Sequence, residues 1–145
     1  MCHPERRAVR RPEAEGQFSN ALGLLDEPSK LYLASLIERM RTPVDYMYVY
    51  ILASDIGVLY IGVTNNLYDR VVQHRMKLNR GFTTEKQCTK LVYFEIHDTP
   101  GEAIEREKQI KGWRREKKKR LIGSLNPPWI DLTLFLPRSD EDLDV

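Results

Sequence analysis

The sequence predicts an α+β fold: a small three-stranded antiparallel sheet flanked by helices, in the order β-β-α-β-α-α. Three observations predict it. Two runs dense in aromatic and β-branched residues, YMYVYILA from Tyr46 and VLYIGV from Val58, flank a short turn, the pattern of an antiparallel hairpin. A third such run, KLVYFEI from Lys90, is separated from them by a segment of helical periodicity. Helix-start signals stand at Asn66 and at Thr99-Pro100-Gly101-Glu102.

In the first strand, alternation puts Tyr46, Tyr48, Tyr50 and Leu52 on one face and Met47, Val49 and Ile51 on the other. Ser54-Asp55-Ile56-Gly57 supplies the turn into the second strand. Asn66 then caps a helix, with Asp69 in the first turn where the helix dipole favours an acid. Leu67, Val71 and Leu78 share its apolar side, and Arg70 and His74, four apart, stack on a neighbouring face. A polar connection from Gly81 to Thr89 leads to the third strand. Thr99 caps the next helix, Pro100 sits at its first position, and Glu102 completes a capping box. This helix runs through EAIEREKQIKGW and continues from Arg114 to Ser124 after a bend at Gly112. Asn126-Pro127-Pro128 ends it, because proline disfavours helix in the residue before it.

A chain of 145 residues with 41% hydrophobic content can fill one modest core and not two. That core is assigned to residues 46–132. Residues 1–45 form an N-terminal extension, and 133–145 an acidic, flexible tail. The opening MCHPERRAVRRPEAEGQ is charged and aperiodic and is expected to be disordered. Ser29 to Met40 can form a helix through Leu31, Leu33, Leu36 and Ile37, expected to pack loosely or not at all. Residues 1–45 are therefore expected to be dispensable, with Met47 as an alternative start. Cys2 and Cys88 make neither a disulfide framework nor a zinc pair, and a reducing cytoplasm fits them. No apolar run is long enough to span a membrane.

The net charge of +2 conceals an uneven distribution. From Arg106 to Arg120 there are nine Lys or Arg against Glu107 and Glu116, whereas Asp140 to Val145 carries four acids and no base. A basic working face is implied. Lys111, Arg114, Arg115, Lys117, Lys118, Lys119 and Arg120 are its candidate phosphate contacts, the alternative being a solvated helix face.

Glu107 is the most informative single residue. Ala103, Ile110 and Trp113 define the buried side of its helix, and Glu107 lies on that side, while Glu105, Arg106, Lys108 and Gln109 face outward. A carboxylate there needs a base, a cation or a donor. A functional carboxylate and a buried salt bridge, with Arg70 as partner, stand about equal on periodicity alone. Tyr50 and Tyr60 lie on adjacent strands, so both hydroxyls can meet at one edge, although strand tyrosines commonly serve packing. Arg70 offers a fork of donors suited to phosphate and His74 a proton carrier near neutral pH, yet such pairs on surface helices are often merely solvated.

Val49-Tyr50-Ile51, eight residues, then Tyr60-Ile61-Gly62, with Arg70 in YIGVTNNLYDR, His74 after it and Glu107 in REKQIKGW, resembles the GIY-YIG nuclease superfamily. The likeness is to its short stand-alone bacterial members and, more distantly, to the nuclease domain of the excinuclease. It spans about residues 46–132, the Asn126-Pro127-Pro128-Trp129 ending included. Val49 departs from the motif's glycine, a minor change since the tyrosine carries the chemistry. The resemblance implies an endonuclease that hydrolyses DNA phosphodiesters with one Mg²⁺ or Mn²⁺ ion, in DNA repair or processing. Glu107 would be the metal ligand, Arg70 would neutralise phosphate charge, and Tyr50 would help deprotonate the attacking water, with His74 the competing candidate. Tyr60 would orient water or phosphate, and Gly62 would let backbone pack closely or approach the substrate. DNA is the expected partner, through its backbone and with little sequence specificity, beside an unidentified protein partner and no organic cofactor or metal cluster. A non-catalytic nucleic-acid-binding module on the same fold and an RNA-directed nuclease are the alternatives.

Overall fold

β1 (Met47–Ala53) is the middle strand of the sheet in the computed structural model, which describes residues 20–77 and 87–137. β2 (Leu59–Thr64) and β3 (Lys90–His97) pair antiparallel on either side of it, in the order β2-β1-β3. The expected α+β sheet is therefore present. The middle position explains why the aromatic and β-branched run extends without polar interruption: Val49 through Ala53 are all 0% exposed, so both faces are covered. The β1–β2 turn closes with Gly57 N–H on the Ser54 carbonyl and Val58 N–H on the Ser54 hydroxyl. Gly57 takes a φ of +90°, and a Cβ there would sit 2.7 Å from Arg115 Nη2.

Two helices start as the sequence expects. Ahead of α2 (Leu67–Lys77), Asn66 Oδ1 accepts the Asp69 N–H at 3.2 Å while its amide donates to the Asp69 carboxylate at 3.0 Å. Because β2 and β3 flank β1, α2 begins the crossover from one edge of the sheet to the other. Leu67 and Val71 are buried; Leu78, and the connection up to residue 86, lie outside the described residues. Thr99 Oγ1 accepts the Glu102 N–H at the start of α3 (Pro100–Lys111), whose Ala103 and Ile110 are fully buried against the sheet.

The expected bend at Gly112 is a full break. Gly112 caps α3, Trp113 follows, and Arg114 is the extended N-cap of a separate helix, α4 (Arg115–Leu125). Asn126 ends α4 and is itself fully buried. Its amide donates to the Val92 and Ile130 carbonyls and its oxygen accepts the Ile130 N–H, tying the Pro127-Pro128 turn to β3. Asp131 continues the staple: one oxygen accepts Leu91 N–H, the other pairs with Arg75 at 2.7 Å. A short 3-10 turn (Leu132–Phe135) then packs on β3, burying Leu132, Phe135 and Leu136.

α1 (Glu27–Met40) differs from the loosely packed helix expected. Asp26 caps it by accepting the Ser29 N–H at 2.9 Å, and Ser29, Leu33 and Leu36 are buried, with α4 as a neighbour. Leu31 points the other way, at 69% exposure. The apolar stripe is Leu33, Leu36 and the half-buried Ile37, and Arg39 fastens the helix by an ion pair to Asp98 and by stacking on Tyr46. The opening segment expected to be disordered falls within residues 1–19, which, like residues 138–145 of the expected tail, lie outside the described residues. The start of that tail is not flexible but carries the 3-10 turn, with Phe135 and Leu136 buried.

Candidate active site

The antiparallel register places Tyr50 opposite Gly62 and Leu52 opposite Tyr60. Side chains two apart on a strand share a face, so Tyr50 and Tyr60 are diagonal neighbours on one side of the sheet. Their ring centroids are 6.2 Å apart. Tyr50 is 0% exposed, and its phenol occupies the space that a side chain at position 62 would need. A Cβ on Gly62 would lie 2.5 Å from Tyr50 Oη and 2.6 Å from Cζ. Tyr60 is 42% exposed and stacks, tilted by 46°, on His74 of α2 with centroids 4.6 Å apart.

Arg70, one turn before His74 on α2, is exposed and bears on the Tyr50 hydroxyl by charge and hydrogen bonding. The Tyr50 phenol is pushed up to about 12: burial contributes most, Tyr60 adds to it, and Arg70 draws it part of the way back. The fold thus gathers Tyr50, Tyr60, Arg70 and His74, which are up to 24 positions apart in sequence, into one cluster.

Glu107 is placed on α3, which packs against β1 and β2. Its side chain is only 16% exposed, as the helical period requires. The salt bridge weighed for it exists with a different partner: Lys111 Nζ lies 3.0 Å from Glu107 Oε2, one turn along the same helix, where Arg70 was the candidate. A single half-buried carboxylate suits a Mg²⁺-like ion, which keeps several waters and needs few protein oxygens. No three His, Cys, Asp or Glu side chains gather into a closed metal site among the described residues.

Arg106 was expected to face outward and does not. Its guanidinium turns back onto Glu95 of β3, with Nε 3.1 Å from both carboxylate oxygens and Nη2 3.0 Å from one. Tyr93 Oη donates to the same carboxylate at 2.7 Å and His97 Nε2 lies 2.8 Å from it. Burial pushes the Glu95 carboxyl up, but these hydrogen bonds outweigh it and hold it below the usual range. This cluster fixes the helix that carries Glu107. Strand alternation alone would have put Tyr93, Glu95 and His97 on one face; the partner on α3 is tertiary and leaves no local signal.

The basic stretch is less uniform than its sequence suggests. Arg115 donates to the Gly57 carbonyl at 2.6 Å, and Lys117 lies over the Trp113 ring at 4.2 Å. Arg114, Lys119 and Arg120 are exposed, and Lys118 is half-buried.

Residues 46–120 match the sequence profile of the GIY-YIG catalytic domain. The chain is similar to a UPF0213 protein of Staphylococcus saprophyticus, 35% identical over 79 residues that make up 54% of this chain and 96% of the relative. It is also similar to a UPF0213 protein of Haloquadratum walsbyi, 39% identical over 77 residues, 53% of this chain and 86% of that one. A UPF0213 protein of Bacillus halodurans solved by NMR aligns with 62% of this chain and 96% of its own, at 27% identity and a TM-score of 0.41. With the profile matching more than half of the sequence, this chain belongs to the GIY-YIG family.

Proposed function

We propose that the protein is a divalent-cation-dependent endonuclease that hydrolyses DNA phosphodiester bonds, with a place in DNA repair or processing. The observation that carries this reading is the joining of Tyr50, Tyr60, Arg70 and His74 around a phenol seated against Gly62. A module that only bound nucleic acid would need neither a buried phenol beside a guanidinium nor a half-buried carboxylate on the helix packed against β1 and β2.

In this reading the exposed Arg70 fork meets the scissile phosphate and offsets the charge that grows on it. Glu107 would hold the cation, Mg²⁺ or Mn²⁺, which when bound supplies further stabilisation of that charge. A phenol with a pKa of about 12 is ionised in about one molecule in 10⁵ at pH 7, so Tyr50 enters the reaction as a hydrogen-bond donor that orients water. Histidine is the side chain suited to proton transfer near neutral pH, which favours His74 as the acceptor of the water proton and Tyr60 as the residue that positions its ring. Arg114, Lys118, Lys119 and Arg120 follow the DNA backbone, joined by Lys111, Arg115 and Lys117 where phosphate displaces their present partners. Such contacts carry no base readout.

The test is incubation of the protein with supercoiled plasmid, single-stranded DNA and an RNA oligonucleotide, each with Mg²⁺ or chelator. Cation-dependent cuts in DNA support the reading; cleavage of RNA alone makes it an RNA-directed nuclease, and tight binding without cleavage a binding module. Activity that falls under mild acid marks His74 as the base; activity that keeps rising with alkali marks Tyr50.

A further inference from the structure

The Glu107–Lys111 ion pair gives the proposed site a resting state. We propose that Lys111 is an internal counter-ion of Glu107, released when a divalent cation takes the carboxylate, so that cation binding frees a lysine for the DNA backbone and the two ligands favour each other. This inference rests on the reading of Glu107 as the cation ligand.

The two ends of the pair differ in their surroundings. Glu107 is 16% exposed and held on the face of α3 that packs against β1 and β2, so it stays put. Lys111 is 54% exposed, in the last turn, on a flexible four-carbon stem, so it can leave. Glutamate four residues before lysine is the favourable order on a helix, which keeps the pair closed while nothing competes. A divalent cation on the same carboxylate repels the ammonium a few ångströms away and opens it. The freed ammonium then lies three residues before Arg114, at the start of the basic stretch, where a phosphate is its natural partner. By linkage, whatever DNA gains from the cation, the cation gains from DNA.

The pair can be opened without any cation, which makes the inference separable from cleavage. Binding of a short mixed-sequence DNA duplex is measured against salt, in chelator, for wild type, Glu107→Gln, Lys111→Met and the double variant. Glu107→Gln releases Lys111 and should steepen the salt slope by about one unit; the double variant should return it to the wild-type value. Mn²⁺ binding without DNA, read by electron paramagnetic resonance, should be about two- to fivefold tighter in Lys111→Met than in wild type, the range set by a partly exposed ion pair. If Glu107→Gln loses Mn²⁺ while Lys111→Met binds it as wild type does and the slopes coincide, the counter-ion role is overturned and the cation site survives. If Glu107→Gln binds Mn²⁺ as wild type does, both fall.

Discussion

Removing the Arg106 side chain should cost more stability than neutralising Glu95, although both changes break the same ion pair. The asymmetry follows from burial. Glu95 is 13% exposed and Arg106 27%. In Arg106→Ala the carboxylate loses all three guanidinium contacts and keeps only Tyr93 and His97, so a buried charge is left short of compensation. Breaking a fully buried pair in this way costs about 3–5 kcal/mol; with two hydrogen bonds retained and a partly exposed arginine, about 2–3 kcal/mol is expected. In Glu95→Gln the guanidinium keeps Gln109 at 2.7 Å and the Trp113 ring at 5.2 Å, and can reach water, so about 1–2 kcal/mol is expected. For a chain of this length the larger loss lowers the melting temperature by about 6–9 °C. Urea and thermal unfolding of the two single variants and the double variant give the numbers, and the double should cost less than the sum of the singles. The pH dependence has a definite sign. The Glu95 carboxyl is held below its ordinary value of 4.5, so the stabilisation is present above that value and is lost as pH falls through the depressed pKa. The gap between wild type and Arg106→Ala should therefore narrow under acid. Equal costs for the two single changes, or a larger one for Glu95→Gln, would refute the reasoning.

Gly62→Ala should drive the Tyr50 phenol from its seat, destabilising the fold by about 1–3 kcal/mol and lowering cleavage far more than a matched change elsewhere on β2; wild-type activity in this variant would show that the phenol's position does not matter. Arg70→Lys retains the charge but not the fork, so DNA cleavage should fall strongly while melting stays within a few degrees, and an unchanged rate would remove Arg70 from the phosphate. A chain starting at Met47 loses Leu33 and Leu36, at 2% and 4% exposure, and with them about 1.5–3 kcal/mol each. Its melting temperature should drop or the chain become insoluble, and an unshifted midpoint would show that α1 is dispensable.

The sheet and helix starts were legible because their signals are local. Asn66 with Asp69, and Thr99 with Pro100 and Glu102, satisfy backbone groups within one helical turn, so the capping is written in adjacent residues. Glu107 was legible as half-buried through the helical period, but its partner was not: Arg70 was the candidate, and Lys111, four residues on along the same helix, holds it. Arg106 was misplaced for the reverse reason: period alone puts it outside, and only the approach of α3 to β3 gives it a buried acid to meet. The weak helical pattern of α1 likewise gained its buried face from α4, which no segment around Leu33 announces. Long-range pairing is what a one-dimensional pattern omits.

Cation-dependent cleavage by way of Glu107 is tested most directly with supercoiled plasmid in Mg²⁺ and in chelator, using wild type and Glu107→Ala side by side, with duplex binding measured on the same samples. Wild type should nick or linearise the plasmid in Mg²⁺ only, and Glu107→Ala should bind DNA yet leave the plasmid supercoiled. Undiminished Mg²⁺-dependent cleavage by Glu107→Ala, purified free of contaminating nuclease, would contradict the assignment.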